Sequence, residues 1–443
     1  MPVDFLLERF RASKDHPAVI WRDEAYAYGW LLENIEAAAQ VLAGQGVAPG
    51  TVVSLRSDFN PRSIAWLIAL VRNRNIVVPV SHAVRTFDLF CRIAEVEHVV
   101  EFQGDEIAHR KRQARAAHPF LRALVEKGRP GLVLFSSGST GESKAAVHDF
   151  VPLLQKFQVR KKTLRSIAFL LFDHIGGINT LFYNLSNAGT LVVTEKRDPE
   201  SVCRLIETHR IELLPTSPSF LQMILMTRAY EKRDLSSLKM ITYGTEAMPQ
   251  HTLKRLHELF PDVRLKQTYG LSELGILRSE SRASDSLWIK VGGEDYETRI
   301  VDGVLQVRAR TAMLGYLNAP CPFDEQGWFN TRDKVEVDGE WIRILGRDTD
   351  IINVGGQKVY PAEVESVLLE MDNVREVSVC GRPNPIMGSV VAAKVTLAAD
   401  EPLSSLKKRM RSHCKDRLES FKIPAHVEIA ERIPVSDRFK KVR

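Results

Sequence analysis

The eighteen residues from Leu132 to Asp149, LVLFSSGSTGESKAAVHD, restrict this chain more than any other stretch. Leu132, Val133, Leu134 and Phe135 form a short apolar run of the kind that makes a buried strand. The run then breaks into Ser136-Ser137-Gly138-Ser139-Thr140-Gly141-Glu142-Ser143-Lys144. Gly138 and Gly141 allow sharp turns and close backbone approach, because a residue without Cβ tolerates positive φ. The hydroxyls of Ser136, Ser137, Ser139 and Thr140, with free backbone N–H groups, can converge on one anion. Lys144 adds a point charge suited to phosphate oxygens. The pattern is not the nucleotide P-loop, since no Lys-Ser/Thr pair directly follows Gly141. On composition alone the same residues would also describe a Ser/Gly surface loop. Motifs further along the chain separate the two readings.

At 443 residues the chain exceeds one ordinary core, so two or three domains are expected. Its 44% hydrophobic and 26% charged residues fit a soluble globular class. No uninterrupted apolar run approaches membrane-spanning length. The N-terminus, MPVDFLLERFRASKDHP, lacks a signal-peptide layout. The five cysteines are scattered without a CxxC pair, which points to reduced thiols in a cytoplasm and against zinc. A net charge of +6 tolerates anionic ligands without requiring nucleic acid. The densest basic run, His109 to Arg112 with Arg115, has no interleaved aromatics and reads as a solvated helix face.

Before residue 130, helical and strand patterns alternate: a helix over 31–42, a strand over 51–55, a helix over 64–71 and a buried strand over 76–80. This rhythm predicts a parallel or mixed sheet flanked by helices. Ile167 to Phe172 reads as another strand, running into Asp173-His174-Ile175-Gly176-Gly177. A strand over 189–193, a helix over 199–209 and Leu213 to Pro218 come next, and then Tyr243-Gly244-Thr245-Glu246. Three further signatures come in order: Gln267-Thr268-Tyr269-Gly270-Leu271-Ser272-Glu273, Gly327-Trp328-Phe329-Asn330-Thr331-Arg332-Asp333, and Ile351 through Glu365 with Gly355-Gly356. Tyr269 offers a flat aromatic face on which a base can stack. Glu273 offers a hard oxygen ligand suited to magnesium shared with substrate phosphates. Leu403 to Phe421 has helical spacing.

Taken in this order, the serine-rich loop and the downstream motifs resemble the adenylate-forming (ANL) superfamily: acyl- and aryl-CoA synthetases, peptide-synthetase adenylation domains and luciferases. The resemblance runs from Leu132 to the end of the chain, and the region before the loop is shorter than is usual there. It implies an α/β fold with a large multi-lobed N-terminal domain, its mixed sheets flanked by helices, and a small mobile C-terminal α/β domain. The implied division is 1–347 for the first domain, a hinge at 348–350, and 351–443 for the second. Thr349 stands where the family's pivot is usually Asp or Lys.

By the same resemblance, Ser136 to Gly141 and Lys144 would hold the phosphates of ATP, and Glu273 would hold Mg2+. Gly244, Thr245, Glu246, Thr268, Tyr269, Gly270 and Ser272 would line the nucleotide and acyl pocket. Asp333 would accept from both ribose hydroxyls, a task for two adjacent acceptor oxygens, with Arg347 on ribose or phosphate. His174 would stand near the acid, and Gly355 and Gly356 would lie against a pantetheine arm. Counting from Pro434 places the catalytic lysine at Lys440, although Phe439 replaces the usual glycine before it. The residues named as catalytic are therefore Lys440, Glu273, Thr140 and His174.

The implied reaction joins a small-molecule carboxylic acid to ATP, releases pyrophosphate, and passes the acyl group to coenzyme A. One alternative is an amino-acid or acyl adenylating enzyme that loads the phosphopantetheine of a separate acyl carrier protein, with Asp173 gripping a substrate amine. The other is an inactive binding module of the same fold.

Overall fold

A computed structural model describes residues 2–104, 106–137, 143–434 and 436. The buried apolar runs become the inner strands of two seven-stranded sheets. In the first, Gly131–Ser137 lies beside Ile76–Val80, with Val52–Arg56 and His98–Gln103 further outward, all parallel. On its other side Ser143–Asp149 returns antiparallel, and Gly315–Tyr316 closes that edge. The second sheet runs Arg264–Gln267, Met240–Tyr243, Leu213–Thr216, Ser166–Ala168, Leu191–Val193, Pro17–Trp21 and Glu24–Ala27. All of its pairings are parallel except the last hairpin.

Helices Asp4–Ala12, Tyr28–Gly44, Pro61–Arg72 and Ile175–Ser186 share one core with apolar residues of both sheets. Parallel strands need such crossovers, because their two ends cannot be joined by a tight turn. The geometric consequence matters for function. Ser136, Ser217, Gly244 and Thr268 all stand at or just beyond the carboxyl ends of parallel strands, where open α/β sheets bind ligands.

A six-stranded antiparallel sheet comes next, its middle strands being Phe329–Asp338 and Trp341–Arg347. Last is a five-stranded sheet built on the hairpin Val374–Asn384 with Gly388–Leu397. It has its own core with helices Pro361–Leu368 and Leu403–Cys414. Helix Gln250–Leu259 meets it through His251 N, which donates to Ser366 Oγ at 3.1 Å.

Three sequence readings need correction. The strand expected over 167–172 ends at Ala168, because the chain turns back so tightly that a Cβ on Gly177 would lie 1.9 Å from the Leu171 carbonyl oxygen. The helix expected over 403–421 stops at Cys414. The basic run is no helix face. His109, Arg110 and Lys111 lie on the edge strand Glu106–Lys111, where cationic side chains discourage pairing with another chain. After Gln267, Gly270–Leu271 and Gly275–Ile276 form a small hairpin.

Candidate active site

The strand before the serine-rich loop and the strand after it pair in register from Gly131 with Asp149 to Ser137 with Ser143. Gly138, Ser139, Thr140 and Gly141 lie outside the described residues, and of Ser137 only the backbone is described. The base of the loop is clamped from an unexpected direction. Asn318 Oδ1 accepts from Ala145 N at 2.9 Å, and its Nδ2 donates to the Ser143 carbonyl at 2.9 Å. The neighbouring Tyr316 then joins two of the expected residues. Its hydroxyl donates to Glu273 Oε1 at 2.5 Å, and Lys144 Nζ stands 5.4 Å from its ring centroid. Burial first, then the Glu273 charge, holds this phenol above its ordinary range, so it remains a donor.

His148 bonds the backbone one residue before Glu273. It is fully buried, with Nε2 2.7 Å from the Ser272 carbonyl oxygen. A carbonyl only accepts, so Nε2 carries the hydrogen. Burial pushes the imidazole down to about 4, against smaller opposing effects from the Ser272 and Thr311 backbones. The folded protein thus keeps His148 neutral, whereas the unfolded chain takes up a proton near 6.5. Stability from this group is present above pH 6.5 and is lost as pH falls toward 4, about 3 kcal/mol over that window. Urea unfolding at pH 7 and pH 4.5 should show a smaller acid loss for His148→Gln than for the parent. An equal loss in both would remove His148 from the explanation.

A second cluster surrounds Asp333, which is 7% exposed. Tyr269 Oη donates to Asp333 Oδ2 at 2.6 Å, and Arg347 Nε lies 3.6 Å from Oδ1. Asp333 and Arg347 face each other because their strands pair at that register. The Arg347 charge acts on the phenols of both Tyr269 and Tyr316. Tyr269 itself packs into the core of the antiparallel sheet at 6% exposure. The aromatic face expected to meet a base is therefore largely covered by its own sheet in this structure.

Gly244 approaches Thr268 closely enough that a Cβ would lie 2.7 Å from both its carbonyl oxygen and its Oγ1. Thr245 is held at φ 75°, a strained conformation for a β-branched residue. Glu246 Oε1 accepts from Ser219 N at 2.8 Å, in the first turn of helix Pro218–Thr227. Gly270 is pinned against Ile276 and the Gly275 carbonyl.

His174 caps helix Ile175–Ser186, its Nδ1 accepting from Gly176 N at 3.1 Å. The preceding Asp173 is buried and accepts from Ser81 N at 3.2 Å, so it is engaged by the first sheet. Gly355 and Gly356 lie apart from these clusters. They form an exposed turn of the five-stranded sheet, bonded to the Met387 carbonyl and to Asn353 Oδ1. Lys440 and Phe439 lie outside the described residues. Sequence reasoning missed Tyr316, Asn318 and His148. Only His148 carried a signal, as a histidine directly after the apolar run Ala145-Ala146-Val147.

Lys144 and Glu273 about Tyr316, and the buried Asp333 beside Arg347, thus sit on an α/β framework with the serine-rich segment at a strand end. The chain belongs to the AMP-binding enzyme family, whose model matches residues 6–303, and the AMP-binding enzyme C-terminal domain matches 363–440. It is an AMP-forming acid–thiol ligase.

Among curated relatives, the 3-[(3aS,4S,7aS)-7a-methyl-1,5-dioxo-octahydro-1H-inden-4-yl]propanoyl:CoA ligase of Rhodococcus jostii is 29% identical, over 91% of this chain and 78% of that protein. The indoleacetate–CoA ligase of Aromatoleum aromaticum is 27% identical, over 94% and 92%. A crystal structure of an anthranilate CoA ligase with anthranoyl-AMP superposes with a TM-score of 0.86 at 20% identity, covering 99% of this chain and 95% of that one. The o-succinylbenzoate CoA synthetase of Bacillus subtilis with its acyl-adenylate gives 0.76 at 20% identity, over 99% and 96%. These likenesses show the fold.

Proposed function

We propose that this protein activates an organic acid with ATP and transfers the acyl group to coenzyme A, using the residues gathered around Tyr316 and Arg347. What supports it is the grouping of Lys144 and Glu273 about Tyr316, with the buried Asp333 held by Tyr269 and Arg347, whose charge also acts on the Tyr316 phenol.

In the first step a carboxylate oxygen bonds to the α-phosphorus of ATP, and the bond to the β-phosphate oxygen breaks. Pyrophosphate leaves and acyl-AMP remains. An anion must approach a polyanion, so positive charge at the reacting centre is the chief requirement. Lys144, Lys440 and the hydroxyl and N–H groups of Ser136 to Gly141 meet it in this reading. Tyr316 occupies one Glu273 oxygen and leaves the other for a hard cation, which fits Mg2+. When bound, that ion supplies charge neutralisation on the phosphates. Asp333 takes the ribose hydroxyls, and Thr140 and His174 border the reacting carboxylate. In the second step the thiol of coenzyme A bonds to the acyl carbon and AMP departs.

We further assign residues 1–347 and 351–443 to two domains, with the turn Asp348–Asp350 as their hinge and Gly355-Gly356 as the surface for the pantetheine arm. The five unpaired cysteines fit a reducing compartment, and we place the enzyme in the cytoplasm. The engagement of Asp173 with Ser81 speaks against its use as an amine receptor.

The test is acid-dependent ATP–pyrophosphate exchange across a panel of aryl, alkyl and amino acids, repeated with coenzyme A and with a carrier protein. Exchange with an organic acid, and thioester only with coenzyme A, is the expected result. Protein that consumes no ATP with any acid would leave the inactive-module reading in its place.

A further inference from the structure

Helix Gln250–Leu259 begins without a side-chain cap from its own N-terminal neighbour. The first N–H groups of any helix have no partner within it, and a Ser, Thr, Asp or Asn at the preceding position commonly accepts from one of them. Here that position is Pro249, whose ring carries no oxygen, and the first turn of Gln250, His251 and Thr252 holds no carboxylate. The acceptor comes from 115 positions away instead. Ser366 Oγ accepts from His251 N at 3.1 Å. That is the second N–H of the helix, one of the two that a cap ordinarily bonds.

Ser366 belongs to the other body of the molecule. Its helix, Pro361–Leu368, sends Val364 and Leu368 into the core of the five-stranded sheet, while Ser366 is only half-buried and meets helix Gln250–Leu259. The same helix packs against strand Trp341–Arg347, whose last residue stands beside Asp333. Between the two bodies the chain is the short turn Asp348–Asp350, exposed throughout. A connection of that kind fixes little by itself, so the placement of one body on the other depends on contacts across the boundary.

We propose that Ser366 is a positioning residue: as a helix cap supplied from across the boundary, it latches the small domain in the arrangement seen here. In this arrangement the Gly355-Gly356 turn is exposed and apart from Glu273 and Asp333. The latch must therefore open before a pantetheine arm lying on that turn can deliver its thiol. This consequence rests on the acid-activating reading above, whereas the latch itself does not.

Two native thiols make the test direct. Cys321 on the large domain and Cys380 on the small one are exposed, and Cys91, Cys203 and Cys414 are buried. Nitroxides on the exposed pair report the separation of the domains by pulsed dipolar EPR. Ser366→Ala removes the acceptor and, alanine being the better helix former, preserves its own helix. The ratio of the docked separation to all others should fall about fivefold, the usual effect of losing one cap. Ser366→Thr keeps a hydroxyl and should restore it. The kinetic readout is the rate of thioester formation from supplied acyl-AMP and coenzyme A, divided by the rate of pyrophosphate release, so that loss of folded protein cancels. This quotient should rise ~3-fold or more in Ser366→Ala and return in Ser366→Thr. A serine with a merely structural role would lower both rates alike. Unchanged distances in Ser366→Ala overturn the latch, and shifted distances with an unchanged quotient overturn its part in the reaction. If no acid releases pyrophosphate, the acid-activating reading fails, and the distances, which need no substrate, still decide for or against the latch.

Discussion

Glu273→Gln is expected to lower pyrophosphate release by ~10³-fold, at the upper end of what removing one preorganised electrostatic contact costs. The substitution keeps the side-chain shape and a carbonyl oxygen, so Tyr316 retains its acceptor and the hairpin around Gly270 and Gly275 should fold unchanged. What disappears is the anionic oxygen that completes the site for a hard cation. The Mg2+ concentration for half-maximal activity should therefore rise along with the fall in kcat. If Glu273 served only to anchor Tyr316, glutamine would do as well. A variant with parental kcat and parental Mg2+ dependence would defeat the assignment.

Lys440→Ala is expected to lower acyl-adenylate formation by ~10²-fold or more, with a smaller change in the KM values. A cation about 4 Å from a developing anion contributes roughly 4 kcal/mol at an effective dielectric near 20. That attraction is largest when the carboxylate and the triphosphate share the α-phosphorus, which is why kcat should carry the loss. Thioester formation from supplied acyl-AMP has no triphosphate to neutralise and should suffer less. The comparison is thus internal, between pyrophosphate release from acid plus ATP and thioester from acyl-AMP plus coenzyme A. Equal losses in both halves would point to a structural role, and no loss in the first would shift the role to the adjacent Lys441.

The motifs were legible because each occupies a few consecutive residues, most of them where a strand stops and one, at Asp333, within a strand. Ser136 to Lys144, Gly244 to Glu246, Thr268 to Glu273 and Asp333 all keep their meaning in local sequence. Their order along the chain sufficed to identify the family before any contact was known. Element boundaries were less secure wherever a long-range contact overruled local pattern. The strand read through Phe172 stops at Ala168 because the backbone folds back on Leu171, and only Gly177 permits that approach.

By itself, then, the sequence determined the reaction class, because phosphate loops and carboxylate turns are local devices written in adjacent residues. Tertiary structure alone decided how those devices are joined. Tyr316 reaches Glu273 across 43 positions, His148 reaches Ser272 across 124, and Asn318 reaches Ser143 across 175. No periodicity or spacing encodes such partnerships, since they arise from which sheet edges meet after the helices have packed.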